Sequence, residues 1–362
     1  MVAGVTAPNG TELPRPETSV GPTYSFMAQM TAVIYLYWPF FTATIGIIGN
    51  NMSLLITTKK DNRKHSTCVY MAGLAIVDTC FEFVVSAYKI VVFHGVGKNM
   101  EENLMFLSFI WYGADAFAIT SGLFLAEMSI DRAIAVTFPM KAASICTASR
   151  ALKVTVVTCV IQLTFNIQAF FSYKLPDPPN GVVLRHVPNM PWVEQFLNFY
   201  QVLFGTILPF SILIICNTII IINVRRASKK RKKMDLSKSH RKSKEPNLTA
   251  LLLVTSFAYF VCSIPKRIYE AIVPAFIQYD LDDPYWGTRY WLQWWIFTEI
   301  WHLNFAINFY VYFLGGGAKF RRDAKEIFTK YFKDVLRDNR GMAMTQSTAT
   351  RQSRPCHSLP SS

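Results

Sequence analysis

Asp131-Arg132-Ala133, followed by Ala135-Val136 and Pro139, closes an apolar stretch that begins near Leu104. Charges at the end of such a stretch are rarely accidental, because they fix where a hydrophobic span stops. Of the 362 residues, 51% are hydrophobic, and mean hydropathy is positive. That is too apolar for a soluble protein unless these residues gather into spans of about 20 residues. Seven spans read from about Thr31 to Thr58, Thr67 to Phe93, Leu104 to Val136, Leu152 to Tyr173, Phe196 to Val224, Leu248 to Val273 and Leu292 to Leu314. Each must be a helix, since lipid offers backbone groups no hydrogen-bond partner.

Flanking charge sets the expected orientation, because cytoplasmic loops carry the excess of Lys and Arg. Lys59, Lys60, Arg63 and Lys64 follow the first span, a dense run from Arg225 to Lys233 follows the fifth, and Lys319, Arg321, Arg322 and Lys325 follow the seventh. The opposite loops hold few, among them Lys98, Arg185 and Arg289. The N-terminus is therefore expected outside, and the formal charge of +14 is a topology signal. A nucleic-acid partner is disfavoured because the basic clusters border membrane spans. Residues 1–30 read as an extracellular tail without a signal-peptide core, so the first span is expected to insert uncleaved. Asn9-Gly10-Thr11 is a glycosylation acceptor in that tail. The bundle occupies 31–314, an amphipathic membrane-surface helix 315–336, and a disordered cytoplasmic tail 337–362. In that surface helix Phe320, Ala324, Ile327, Phe328 and Phe332 recur at helical spacing among Lys and Arg, as suits the inner leaflet.

With Asp131-Arg132, the chain carries Gly49-Asn50, Leu74-Ala75-Ile76-Val77-Asp78, Leu208-Pro209, Phe260-Val261-Cys262-Ser263-Ile264-Pro265 and Asn308-Phe309-Tyr310-Val311-Tyr312. In this order the set resembles the rhodopsin-like G-protein-coupled receptors, from about Thr31 to Phe332, and the run from Ser129 to Ala143 resembles invertebrate neuropeptide receptors. The resemblance implies an all-α membrane protein, a seven-transmembrane helix bundle with a short amphipathic helix after the seventh span. It implies a plasma-membrane location and G-protein coupling through Asp131 and Arg132, with Glu245 as a second acid for Arg132. Pro246 sets Glu245 at the margin of the sixth helix. Receptor kinases and arrestin are expected at the Ser/Thr-rich tail, and membrane lipid around the spans. By the same resemblance, Asp78, Ser121, Asn304 and Asn308 match a polar cluster that holds an allosteric sodium ion. The alternative is a hydrated network that only packs helices. No other cofactor and no catalytic residue is implied.

Several family features are missing. Ser263 stands where the family keeps a Trp before the kink at Pro265, and Phe309 stands in place of a Pro. Tyr259, Phe260, Trp295 and Tyr312 are left as candidate switch residues. The outer halves of the spans contain Glu82, Lys89, Asp115, Lys266, Arg267, Glu270, Glu299 and His302. Intramembrane charges either pair internally or bind ligand. Arg267 and Glu270 are the first choices for ligand, with Lys266, Asp115, Glu299, Lys89 and His302 behind them. Ala114 occupies the place where amine receptors hold their Asp, and His302 the place of the opsin Lys, so monoamine and retinal ligands are disfavoured. Charged walls and the aromatics Tyr285, Trp286, Tyr290, Trp291, Trp294 and Trp295 suit a short peptide; the alternative is a small molecule such as an amino-acid derivative. A transporter or channel would require inverted repeats that are not seen, and an intramembrane protease a Gly-x-Ser-x-Gly motif that is absent.

Cys68, Cys80, Cys146, Cys159, Cys216, Cys262 and Cys356 all fall in spans, inner loops or the tail on this topology. Most of the family bridges the third span to the second outer loop, but here Leu107 occupies that position. Lys174 to Trp192 contains no Cys, offering instead Pro176, Pro178, Pro179, Pro188 and Pro191. Surface binding of a ligand is therefore expected to survive mild dithiothreitol; a large, specific loss of binding would show that the topology is wrong.

Overall fold

Among the described residues, all seven spans read from the sequence are helical, the seventh as two consecutive helices. The computed structural model describes residues 22–94, 100–171, 199–234, 248–276, 284–315 and 318–330, with the single residues 196 and 333. Asn9, the proline-rich loop, Glu245 with Pro246, Phe332 and the tail 337–362 lie outside the described residues.

The elements are α1 (Pro22–Thr57), α2 (Ser66–His94), α3 (Met100–Thr137), the short α4 (Pro139–Ile145) and α5 (Ala148–Phe171). A π-helical turn, Leu203–Ile207, leads into α6 (Leu208–Met234). Then come α7 (Leu248–Phe276), α8 (Pro284–Ala306), α9 (Asn308–Gly315) and a last helix α10 (318–330). The spans are α1, α2, α3, α5, α6 with its π turn, α7, and α8 continued by α9. Helix α1 begins inside the stretch read as extracellular tail, and Tyr24 is already buried there. The π turn sits where Pro209, having no N–H, cannot bond to the turn before it. At Ile307 the seventh span breaks, although the family's Pro is Phe309 here. The ladder persists across the break through Ile307 N to Leu303 O and Val311 N to Ile307 O, each 3.0 Å.

Helices α1, α2, α3, α6, α7 and α8 close a ring, with α5 packed outside against α2 and α3. Helix α3 touches α2, α5, α6 and α7 and forms the axis. The apolar surface is turned outward: Ile48, Leu55, Phe83, Val157 and Phe257 are all more than half exposed, with Phe257 at 68%. On a soluble protein that would be an aggregation surface; in lipid it is solvated. Five of the described helices, Thr23–Thr57, Ser66–Ile90, Ala148–Ile167, Phe199–Lys229 and Leu251–Val273, are long and apolar enough alone to cross a membrane. Helices α3 and α8 carry buried polar residues instead, among them Asp131, Glu299, His302 and Asn304.

The main core packs Met71, Leu74, Phe124, Met128, Leu213, Leu251 and Tyr312 toward the Arg132 end. Phe320 and Ala324 of α10 join that core, while Phe328 is exposed. Lys59 Nζ lies 3.1 Å from Glu326 and 3.5 Å from Asp323, and Asn62 Nδ2 donates to Asp323 at 3.1 Å, fastening α10 to the α1–α2 turn. Helix contact is close at Gly46: a Cβ there would stand 3.1 Å from the Ala306 Cα and 3.3 Å from the Glu82 Cγ, whereas one at Gly113 meets nothing nearer than 3.5 Å. Gly46→Val is therefore expected to destabilise by about 1–3 kcal/mol and to lower the thermal midpoint in detergent, with Gly113→Ala close to the parent. Equal midpoints for the two variants would refute this packing.

Candidate functional site

Three polar assemblies lie along the bundle. At the C-terminal end of α3, Arg132 Nη2 donates to Asp131 Oδ2 at 2.6 Å, and Nε to the same oxygen at 3.2 Å. Ser66, at the start of α2, donates to Asp131 Oδ2 at 2.8 Å and accepts from Arg132 Nη2 at 3.2 Å. The guanidinium is thus tied down by its own neighbour and by the next helix. Cys146, between α4 and α5, donates its thiol to the Asp131 carbonyl at 3.4 Å. Burial and the Asp131 carboxylate push this thiol up to about 11, so it stays protonated and unreactive at neutral pH.

Midway, Asp78 is wholly buried and accepts from Ser121 Oγ at 2.6 Å on one oxygen and from Asn308 Nδ2 at 2.7 Å on the other. Three of the four residues expected in this cluster are joined. Asn304 is buried too, but it is not among the hydrogen-bond partners of Asp78. Tyr312 is buried one turn beyond Asn308, its hydroxyl without a partner among the described residues.

At the far end, a cavity of about 140 Å³ opens between α2, α3, α7 and α8. Its wall includes Lys89, Asp115, Lys266, Trp294, Trp295, Trp301 and His302. The Arg267–Glu270 pair inferred from spacing is present at 2.8 Å, and Lys266 reaches the other oxygen of Glu270 at 3.6 Å. Both cations sit by the Trp301 ring, Lys266 Nζ at 3.9 Å and Arg267 Cζ at 5.6 Å from its centroid. His302 pairs with Glu299 at 2.9 Å in a buried contact, and Asp115 accepts from Gln201. Lys89 is 2% exposed.

Between cavity and centre lie the candidate switches. Tyr259 and Phe260 both meet Phe210, beside Pro209. Only the missing side chain of Gly122 leaves room for the Tyr259 hydroxyl, which would stand 2.9 Å from a Cβ there. Pro265 lies inside a continuous α7. Ser263 is buried, with its hydroxyl unpartnered among the described residues. Trp295 is committed elsewhere, edge-on to Tyr35. The aromatics singled out from the sequence divide: Tyr285 and Trp286 are exposed, whereas Trp294 and Trp295 face the cavity, joined there by Trp301.

Sequence reasoning did not find Ser66, Gln201 or the aromatic surroundings of Lys89. A serine at a helix start and a glutamine in a span are ordinary residues, and only the fold brings them to Asp131 and Asp115. Tyr200 Oη donates to Gln162 of α5, whereas Asn166 donates to the Gln162 carbonyl within its own helix.

A family model described as "7 transmembrane receptor (rhodopsin family)" matches residues 49–311. The chain belongs to this family. It is 23% identical to an FMRFamide receptor of Drosophila melanogaster over 79% of its own length and 52% of that protein's. It is 24% identical to the somatostatin receptor type 5 of Rattus norvegicus, over 69% and 66% of the two chains. With the cysteinyl leukotriene receptor 1 of Homo sapiens it shares 25% identity over 64% and 66%. The chain thus spans about half to two thirds of the length of these curated relatives.

Removing either donor to Asp78 leaves a buried oxygen unpaired, at a cost of about 1–3 kcal/mol. Ser121→Ala and Asn308→Ala are each expected to lower the thermal midpoint in detergent, and midpoints equal to the parent's would show that the cluster does not bear on stability.

Proposed function

We propose that the chain is a plasma-membrane receptor, N-terminus outside, that converts binding of a short extracellular peptide at the cavity end into heterotrimeric G-protein activation at the Arg132 end. The observation that carries this reading is the placement of a charged, aromatic cavity at one end of α3 and a restrained arginine at the other. Arginine keeps its charge and a fork of donors, so once freed from Asp131 and Ser66 it can bond to backbone carbonyls of a G protein. Ligand binding then shifts a two-state bundle toward the freed arrangement. Relatives named for FMRFamide and for somatostatin support a peptide ligand. A small-molecule ligand is the second reading, favoured by the limited enclosed volume of about 140 Å³. Receptor kinases and arrestin acting on the Ser/Thr-rich tail belong to the same proposal.

Asp78, Ser121, Asn304 and Asn308 are fitted to an allosteric sodium ion. Carboxylate and hydroxyl oxygens suit such a cation, and Asp78 has no cationic partner among the described residues, while Asn308, which turns its Nδ2 to Asp78, would have to present its Oδ1 to the ion. These residues would hold the ion, which would favour the resting arrangement. Agonist affinity is expected to fall as sodium replaces a bulky cation, and Asp78→Asn to abolish that dependence.

Arg132→Ala, at matched surface expression, is expected to abolish agonist-stimulated nucleotide exchange; unchanged exchange would refute its role. At the other end, loss of one member of a desolvated pair typically costs about 2–5 kcal/mol. Arg267→Gln and Glu270→Gln should therefore each shift the dose-response curve by at least tenfold. Parental responses from both variants would make the pair structural.

A further inference from the structure

The ammonium of Lys89 sits 3.3 Å from the centroid of the Tyr35 ring and 4.0 Å from that of Trp295. It makes no hydrogen bond and no ion pair among the described residues, although its Nζ is fully buried. Ring faces attract the charge but leave its three N–H donors unmet. No carboxylate makes an ion pair with Lys89 among the described residues, although Glu299 is near enough to act on its charge and keeps one oxygen without a hydrogen-bond partner. Glu299 holds His302, Glu270 is shared by Arg267 and Lys266, and Asp115 holds Gln201. Lys89 also lines the cavity, as does Thr298, whose buried hydroxyl likewise lacks a partner.

We propose that this cavity receives an anionic group, a carboxylate or its equivalent, borne on an aromatic or apolar end of the ligand, with Lys89 as its counter-charge. The proposal rests on the receptor reading and names the ligand class for that site. An entering carboxylate meets a cation that need not be pulled from an acid first. Lys89 supplies N–H donors, Thr298 an O–H, and Lys266, only loosely held at 3.6 Å by Glu270, a second positive charge. Trp294, Trp295, Trp301 and Phe81 form much of the remaining wall and exclude water, which strengthens the ion pair; Asp115 also lines it, its carboxylate held by Gln201. The volume of about 140 Å³ suits one aromatic ring, since an engineered apolar cavity of about 150 Å³ takes benzene. A quaternary ammonium, the usual guest of such rings, is excluded because the protein's own ammonium already fills the cage. The unpartnered oxygens of Glu82 and Glu299 lie outside the lining, and on the wall itself Lys89 and Lys266 outnumber the carboxylate of Asp115.

The test uses the detergent-purified full chain and two probes that differ in charge alone, N-acetyl-L-phenylalanine and N-acetyl-L-phenylalanine amide. Binding is read by quenching of tryptophan fluorescence and by the rise in thermal midpoint. The acid is expected to half-saturate at a concentration at least tenfold below the amide. Lys89→Met should reduce the acid to the level of the amide, and Lys89→Arg should retain most of the preference. Replacing a buried unpaired charge by an apolar side chain of similar length is often tolerated. If Lys89→Met nevertheless fails to fold, the acid–amide comparison on the parent chain still decides. Equal affinities, a preference for the amide, or an undiminished acid preference in folded Lys89→Met would each overturn the proposal. Binding of either probe needs no G protein, so unchanged agonist-stimulated exchange in Arg132→Ala would overturn the coupling role alone and leave selective binding of the acid standing.

Discussion

A polar group inside lipid has no water to turn to, and the whole interior of this bundle follows from that constraint. Asp78 shows it most plainly: a wholly buried carboxylate whose oxygens are met by α3 through Ser121 and by α9 through Asn308. Those bonds fix the mutual position of α2, α3 and the end of the seventh span. Helix α3 then becomes the axis, because its Asp115, Ser121 and Arg132 each belong to a different polar assembly. Close helix approach does the rest: Gly46 lets α1 lie against Ala306 near Glu82, and Gly122 admits the Tyr259 hydroxyl.

The two ends differ in how their charges are held. Near Arg132, acid, base and hydroxyl form a closed set of hydrogen bonds with short distances. Around the cavity the cations lean on aromatic rings, Lys89 on Tyr35 and Trp295, Lys266 and Arg267 on Trp301. Such contacts stabilise a charge without consuming its donors; Lys266 and Arg267 also pair with Glu270, so it is Lys89 that stays chemically available while Arg132 is restrained. That asymmetry suits the proposed reading, in which a ligand is received at one end and a bound group is released at the other.

The fold was legible because periodic apolar runs long enough to span a bilayer can be little other than helices, and the fixed order of motifs narrowed the class. Pairings within one helix were legible too: Arg267 and Glu270 are three apart, and the ion pair is there. Pairings between helices were not. Ser66 reaches Asp131 and Lys89 reaches Tyr35 across the bundle, which no local spacing announces. Helix ends were read least well, as α1 shows by starting at Pro22 rather than near Thr31, since a helix can run past the apolar part of its span. The break at Ile307 without a proline was likewise invisible to composition.

The central claim is that the bonds from Asp131 and Ser66 hold Arg132 in the resting arrangement. Its most direct test is basal nucleotide exchange, without ligand, in membranes containing Asp131→Asn at matched expression. The amide keeps the side chain's size but weakens the grip on the guanidinium, so basal exchange is expected to rise severalfold above the parent. Basal exchange unchanged or reduced would mean that Asp131 does not restrain Arg132, and the account of the resting state would fail.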